Sequence, residues 1–141
     1  IYLRPASPFI ADFVGHSNIL AGQAQQLAGG GMLVHLAGAQ AIQLPLAPAG
    51  KPSASVRIAI RPEHVRLHER SAAGTAPNML EARIIQRDFL GTHFEYLVEL
   101  GDAVLRVTTT REMPAGTALA ELPGAACMPY WAADECIRQA A

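Results

Sequence analysis

Glycine and proline recur so often along this chain that few stretches can be anything longer than a short strand. The 141 residues include 12 Gly and 10 Pro, and each marks a place where a regular element stops or bends. Between these breaks the side chains alternate apolar and polar with a period of two, which is the signature of a half-buried strand. Strands are predicted near 18–26, 32–37, 40–45, 55–61, 64–68, 78–88, 93–100, 103–110 and 117–122. Residues 45–55 and 70–77, rich in Pro, Gly, Ser and Ala, read as loops, with a short strand pair between them around Arg61-Pro62-Glu63.

The clearest local unit is the hairpin Phe94–Thr109. Gly101-Asp102 makes a two-residue turn whose twist matches the flanking strands. In that register Leu100 faces Ala103, Val98 faces Leu105 and Tyr96 faces Val107, giving one apolar face. Glu95, Glu99, Arg106 and Thr108 fall on the other face, with Glu99 and Arg106 placed to pair diagonally.

One helix is predicted, over residues 5–15. Ser7 suits the N-cap, and Pro8 suits the first helical position, where no N–H is needed. Phe9, Ile10, Phe13 and Val14 make an apolar face, and Gly15 stops the helix. Phe9 and Phe13 are the candidate anchors of this helix.

Composition narrows the function. Half of the residues are apolar and 16% are charged, with a net charge of −1. That is a globular composition. It lacks the basic footprint of a nucleic-acid binder or of a protein held on an anionic membrane surface. No apolar run is long enough for a membrane-spanning helix, and no signal peptide is visible. Cys127 and Cys136 form neither a disulfide framework nor a zinc spacing and read as reduced thiols.

Several motifs are near misses. Gly50-Lys51 is followed by Pro52 and lacks the first glycine of a phosphate-binding loop. Leu27-Ala28-Gly29-Gly30-Gly31 superficially resembles the Leu-Ser-Gly-Gly-Gln signature of ABC ATPases, but Ala28 replaces the serine and a strand follows, so a hairpin turn is predicted. His64 and His68, on a strand, would stand about 13 Å apart, too far for one metal ion. His16, His35 and His93 are scattered. No nucleophile with a matching base can be assembled, and Asp88 and Glu81 have no catalytic partner.

Three blocks in order carry a family resemblance: Pro5-Ala6-Ser7-Pro8-Phe9-Ile10-Ala11-Asp12-Phe13-Val14-Gly15 followed by Asn18, then Arg61-Pro62-Glu63, then Asp88-Phe89-Leu90-Gly91-Thr92. Together they resemble the transport-associated OB (TOBE) accessory domain at the C-terminus of ATP-binding subunits of bacterial ABC importers of the spermidine/putrescine, ferric-iron and phosphonate type. The resemblance runs from Ile1 to about Pro123, and the stretch from Gly124 on matches nothing.

The resemblance implies an all-β fold of small OB-like barrels of short antiparallel strands, preceded by the one short helix. Residues 1–17 would be a linker helix after a missing ATPase domain, and 18–141 a β domain of two interleaved modules with a break near 70–77. The first half would supply one barrel and the second half complete another. The start Ile1-Tyr2-Leu3-Arg4-Pro5 looks like the junction where an ATPase domain ends, which reads the chain as a piece of a longer protein.

The implied role is non-catalytic: an accessory, regulatory and dimerisation domain of an importer for a small solute. This chain would need no cofactor, ATP and Mg being implied for the absent ATPase domain. Its partners would be its own ATPase domain, a second copy of the subunit and, through the ATPase domain, the permease. No nucleic acid and no direct membrane insertion are implied. The location is the cytoplasmic, inner face of the bacterial membrane.

Candidate interface or structural-motif residues are Arg61, Pro62, Glu63, Phe89, Leu90, Gly91 and Thr92. Pro62 would make a sharp corner pinned by Arg61 or Glu63. Gly91 would supply a bulge or a positive φ that aims Phe89 inward. Asn18 would bond local backbone. Two rival functions remain. One is an oxyanion-sensing OB-like domain, with Thr108-Thr109-Thr110-Arg111 as a possible lining. The other, remote, is a nucleic-acid-binding OB fold, which the near-zero charge and 6% aromatics disfavour.

Overall fold

The computed structural model describes residues 16–36, 40–48, 55–69 and 78–131. The predicted helix over 5–15, with Phe9 and Phe13, lies outside the described residues. So do the loop 70–77 and Cys136.

Among the described residues ten strands form: β1 (Asn18–Gln26), β2 (Met32–His35), β3 (Ala41–Leu44), β4 (Ser55–Ile60), β5 (Arg66–Glu69), β6 (Met79–Phe89), β7 (Phe94–Leu100), β8 (Ala103–Thr109), β9 (Gly116–Glu121) and β10 (Met128–Trp131). They build two antiparallel five-stranded sheets, in the orders β10-β4-β1-β2-β3 and β5-β9-β6-β7-β8. Among the described residues the only helical elements are two short 3-10 turns, Pro62–His64 and Gly124–Ala126. The all-β reading of the sequence therefore holds.

The two sheets are variations on one motif. In each, a meander of three strands (β1-β2-β3 or β6-β7-β8) is closed by a fourth strand against the first (β4 or β9). The fifth strands are exchanged. After β4 the chain makes the Pro62–His64 turn and crosses to β9 as β5. After β9 it makes the Gly124–Ala126 turn and returns to β4 as β10. The strand pair expected around Arg61-Pro62-Glu63 is corrected, since β4 and β5 belong to different sheets. Exchange makes the halves interdependent, because neither sheet is complete without a strand from the other half.

Period-two burial drives both sheets onto one core. Leu20, Met32, Val34, Ile42, Val56, Ile58 and Ile60 come from the first sheet, and Leu80, Tyr96, Val98, Leu105, Val107 and Ala120 from the second. At about 25 cal/mol per Å² of apolar surface, this shared core is the main stabilising term. The hairpin register matches expectation: Leu100 faces Ala103, Val98 faces Leu105 and Tyr96 faces Val107. Glu99, however, pairs with Arg83 of β6 at 3.2 Å and not with Arg106. Arg83 is directly opposite Glu99 in the β6–β7 register, whereas Arg106 faces Leu97.

Two asparagines join the sheets. Asn18, at the start of β1, receives the Arg106 N–H and donates to the Arg106 carbonyl, both at 2.8 Å. Asn78, just before β6, does the same to Gln43 of β3: the Gln43 N–H reaches its Oδ1 at 2.6 Å, and its Nδ2 donates to the Gln43 carbonyl at 2.9 Å. Each amide imitates a peptide group and adds a rung to an edge strand of the other sheet. Asn18 thus bonds long-range backbone, not the local backbone the sequence suggested. Asn78 also donates to the Leu122 carbonyl at 3.0 Å. It holds φ +65°, a left-handed conformation that Asn tolerates better than most residues.

The strand boundaries need two corrections. The chain predicted as a strand at 64–68 begins with the 3-10 turn, and β5 starts only at Arg66. The unmatched stretch after Gly124 contains β10, whose Tyr130 and Trp131 are buried.

Candidate functional site

The candidate residues fall on two separate corners. The first is the crossover between sheets. Pro62 is buried at the start of its 3-10 turn, which packs on β8. The His64 N–H closes the turn on the Arg61 carbonyl at 3.0 Å. Glu63 is exposed. Pro62 and this backbone bond help to hold the corner, which carries the chain from β4 to β5.

The second corner is the tip of the β6–β7 hairpin. The Leu90 N–H bonds the His93 carbonyl at 2.8 Å, and Gly91 takes φ +92°, which suits glycine. The positive φ was anticipated; its consequence was not. Phe89 is 62% exposed and Leu90 53% exposed. The bulge lies earlier, between Ile84 and Gln86. Beyond it β6 has lost its other neighbour, because pairing with β9 ends at Ile84–Gly116. Among the described residues the far half of β6 is thus an edge arm paired only with β7, which itself stays paired with β8 along its length.

Rings and charges organise this arm. Phe89 packs on Phe94 with ring centroids 4.9 Å apart, and Phe94 stacks on Tyr96 at 5.9 Å. The Arg87 guanidinium lies 5.9 Å from the Phe94 ring centre and bonds Glu112 at 2.7 Å. The Tyr96 hydroxyl accepts the buried Met113 N–H at 2.6 Å and donates to the Arg111 carbonyl. That anchors the 110–115 loop beside the arm. A cavity of about 170 Å³ remains between loop and arm, lined by Ile84, Ile85, Gln86, Arg87, Met113 and Ala115.

A second cavity, of about 310 Å³, lies between β1 and the β7–β8 turn. Its walls are Ile19, Leu20, Ala21, Leu36, Leu100 and Ala103, with Gln40 and Asp102 as polar groups. A carboxylate at an apolar site is unsuited to an anion. The segment Thr108–Arg111 is committed elsewhere: Thr109 Oγ1 accepts the Arg111 N–H at 3.1 Å. The Arg111 guanidinium donates to the Leu67 carbonyl at 3.4 Å and lies 3.8 Å from Glu69.

His64 and His68 do not meet. His64 is exposed on the turn, while His68 on β5 bonds Glu121 of β9 at 2.9 Å. Among the described residues no group of three or more His, Cys, Asp or Glu side chains is placed to hold a metal. Cys127 is half-buried, and burial pushes its thiol pKa up to about 12. Sequence reasoning missed Asn78, β10 and the loop cavity. One signal for Asn78 was present, since Asn18 and Asn78 each immediately open a long strand.

Residues 58–137 match the family model of the TOBE domain. The chain belongs to the TOBE domain family. Its relatives include spermidine/putrescine import ATP-binding protein PotA 1 of Pseudomonas aeruginosa, 33% identical over 129 residues, covering 91% of this chain and 33% of that one. PotA of Rubrobacter xylanophilus is 29% identical over 140 residues, covering 97% and 35%. The TOBE chain thus spans about a third of the length of these relatives and corresponds to their C-terminal region, a non-catalytic accessory domain. Among solved structures, the cytoplasmic molybdate-binding protein ModG, with molybdate bound, superposes with a TM-score of 0.62 at 17% identity, covering 79% of this chain and 94% of that one. At that identity the likeness establishes the OB-like fold of the TOBE domain.

Proposed function

We propose that this TOBE domain is the accessory, regulatory and pairing module of the ATP-binding subunit of an ABC-type importer for a small solute. The observation that carries the reading is the family match at 58–137 together with PotA relatives that align with nearly the whole chain. Its partners would be its own ATPase domain, a second copy of the subunit and, through the ATPase domain, the permease. It would work at the cytoplasmic face of the membrane. ATP and Mg would belong to the ATPase domain alone.

The physical role follows from effective concentration. A contact between two accessory domains keeps two motors paired while their nucleotide sites open and close, even when that contact alone is weak. Candidate contact residues are the corner Arg61–Glu63 and the arm tip Phe89–Thr92. The isolated chain should self-associate with a micromolar or weaker dissociation constant, measurable by sedimentation equilibrium.

The direct test is a chimera. This chain replaces the corresponding region of Pseudomonas aeruginosa PotA 1, and spermidine and putrescine uptake is measured in cells lacking that subunit. Restored uptake supports the reading. A chimera that is folded and hydrolyses ATP but does not import refutes it. The ModG likeness keeps oxyanion sensing as a second reading. Calorimetry against molybdate, sulfate and phosphate tests it, and absence of heat at millimolar anion removes it.

A further inference from the structure

The two halves of the chain are alike enough for one to stand in for the other. Asn18 faces Ile60 at the end of β4, and the Asn78 carbonyl accepts the Leu122 N–H just past β9. From there the halves run in step. The Pro62–His64 turn corresponds to the Gly124–Ala126 turn, and Arg66–Glu69 to Met128–Trp131. The registers agree. Trp131 faces Val56, and Glu69 faces Ala118, which holds the equivalent place on β9.

The asparagine stitches cannot tell the halves apart. They bond main-chain groups of Arg106 and Gln43, and every residue but proline offers the same pair. A second copy of the first half could meet Asn18 with its own Gln43. Correct pairing needs another device.

The fifth strands supply a difference. β10 carries Met128, Pro129, Tyr130 and Trp131, and Trp131 is 1% exposed in the core. β5 carries Arg66, Leu67, His68 and Glu69. Glu69 holds the place of Trp131, yet its side chain is 54% exposed and lies 3.8 Å from Arg111. Two copies of the first half would lay β5 on β4 and put Glu69 into the Trp131 site. Arg111 belongs to the second half and would be missing. The site is poor in polar company, since among the described residues even the Trp131 Nε1 has no hydrogen-bond partner. A carboxylate buried without a partner is costly. Two copies of the second half would lay β10 on β9. Trp131 would leave the core for a half-exposed place, and Glu121 would lose His68, its partner at 2.9 Å.

We infer that the fifth strands choose the partner: each half takes up the unlike half, from its own chain or from a second copy, and rejects a copy of itself. Glu69 and Trp131 are the discriminating residues. The surface between the halves thus favours one pairing and penalises the alternatives, which is how specificity is built.

The test starts from the full chain with a protease site built into 70–77. The folded chain is cut, unfolded in urea, refolded and analysed by native mass spectrometry. The expected product is a one-to-one complex of unlike halves, with like pairs rare. Glu69→Trp removes the charge at a half-exposed position and should raise pairs of first halves at least about tenfold. Circular dichroism of the uncut variant, matching the parent, confirms that it folds. Like and unlike pairs in statistical proportion would overturn the inference. So would a Glu69→Trp product no richer in pairs of first halves. A cut chain that fails to reassemble, while the uncut chain refolds, would also overturn it, because the connector and not the surface would then choose the partner.

Discussion

If the asparagine amides stitch the two sheets together, removing either should weaken the whole domain. Asn18 is 8% exposed and makes two bonds to the Arg106 backbone. At about 1 kcal/mol net per bond, plus about 1 kcal/mol for a partly buried N–H left without an acceptor, Asn18→Ala should cost roughly 2–3 kcal/mol. Asn78 makes three bonds from a more open position. Some can be replaced by water, so about 1.5 kcal/mol of hydrogen bonding is at stake. Its φ of +65° adds roughly 1 kcal/mol of strain for alanine. Asn78→Ala should therefore cost about 2.5 kcal/mol, and Asn78→Gly about 1 kcal/mol less, because glycine takes that φ freely. Urea denaturation followed by circular dichroism reads these differences as midpoint shifts at constant slope. The amides hold different strand pairs, so the double variant should be additive to about 0.5 kcal/mol. If Asn18→Ala and Asn78→Ala each change stability by less than about 0.5 kcal/mol, the amides follow the packing and do not help to fix it. If Gly and Ala at 78 are equal, the backbone part of the argument fails.

Other expectations follow from single contacts. Tyr96→Phe leaves the buried Met113 N–H without its acceptor and should cost about 1–3 kcal/mol in the same assay. Gly22→Ala places a methyl against Val34 and the His35 carbonyl and should cost about 1–3 kcal/mol through overpacking. The Cys127 thiol, raised from 9.0 to about 12 by burial, favours the protonated folded state. Its contribution to stability is complete below pH 9 and is lost as pH rises toward 12. In a Cys136→Ser background, iodoacetamide at pH 9 should alkylate the folded chain at least tenfold more slowly than the urea-unfolded chain. Equal rates would contradict the burial.

The legible parts of the fold were those where two local signals agreed. In the β7–β8 hairpin, turn chemistry and side-chain alternation independently give one register. For β1, the span predicted from alternation is the one observed, Asn18–Gln26. The strand exchange was not legible, because the pairing of β5 with β9 and of β10 with β4 depends on long-range closure that no local period encodes. β10 itself was hidden by Pro129 and by the lack of alternation in Met128-Pro129-Tyr130-Trp131. The inward aim of Phe89 followed from alternation carried past its range. Phe89 does share a face with Tyr96, but the core ends before it, where β9 stops pairing with β6. At the candidate site, the motif residues were visible as motifs, and the positive φ of Gly91 was foreseen. The cavity opposite them was not, because Met113 and Ala115 reach it from a loop with no pattern of its own.

The two halves repeat one motif but differ in the length of their strands. A core of two equivalent meanders with exchanged fifth strands needs the same lengths in both halves. The second meander is longer in each of its strands, β8 having seven residues against four in β3. β2 has four residues and β7 seven, while β1 has nine and β6 eleven. The equivalent turn in the first half, Leu27–Gly31, is closed by Leu27 and Gly31, with Gly29 and Gly30 at positive φ, and it presents no aromatic ring. In the second hairpin β7 keeps Tyr96, Val98 and Leu100 in the core, while residues 85–89 at the end of β6 are exposed and stabilise little. Exposed Ile85, Phe89 and Leu90 there also raise the risk of aggregation. Lengthening that costs stability elsewhere would be selected against; lengthening beyond the core leaves the core alone. For that reason substitutions on the arm should separate association from folding, whereas substitutions at Asn18, Asn78 or Pro62 should alter both together.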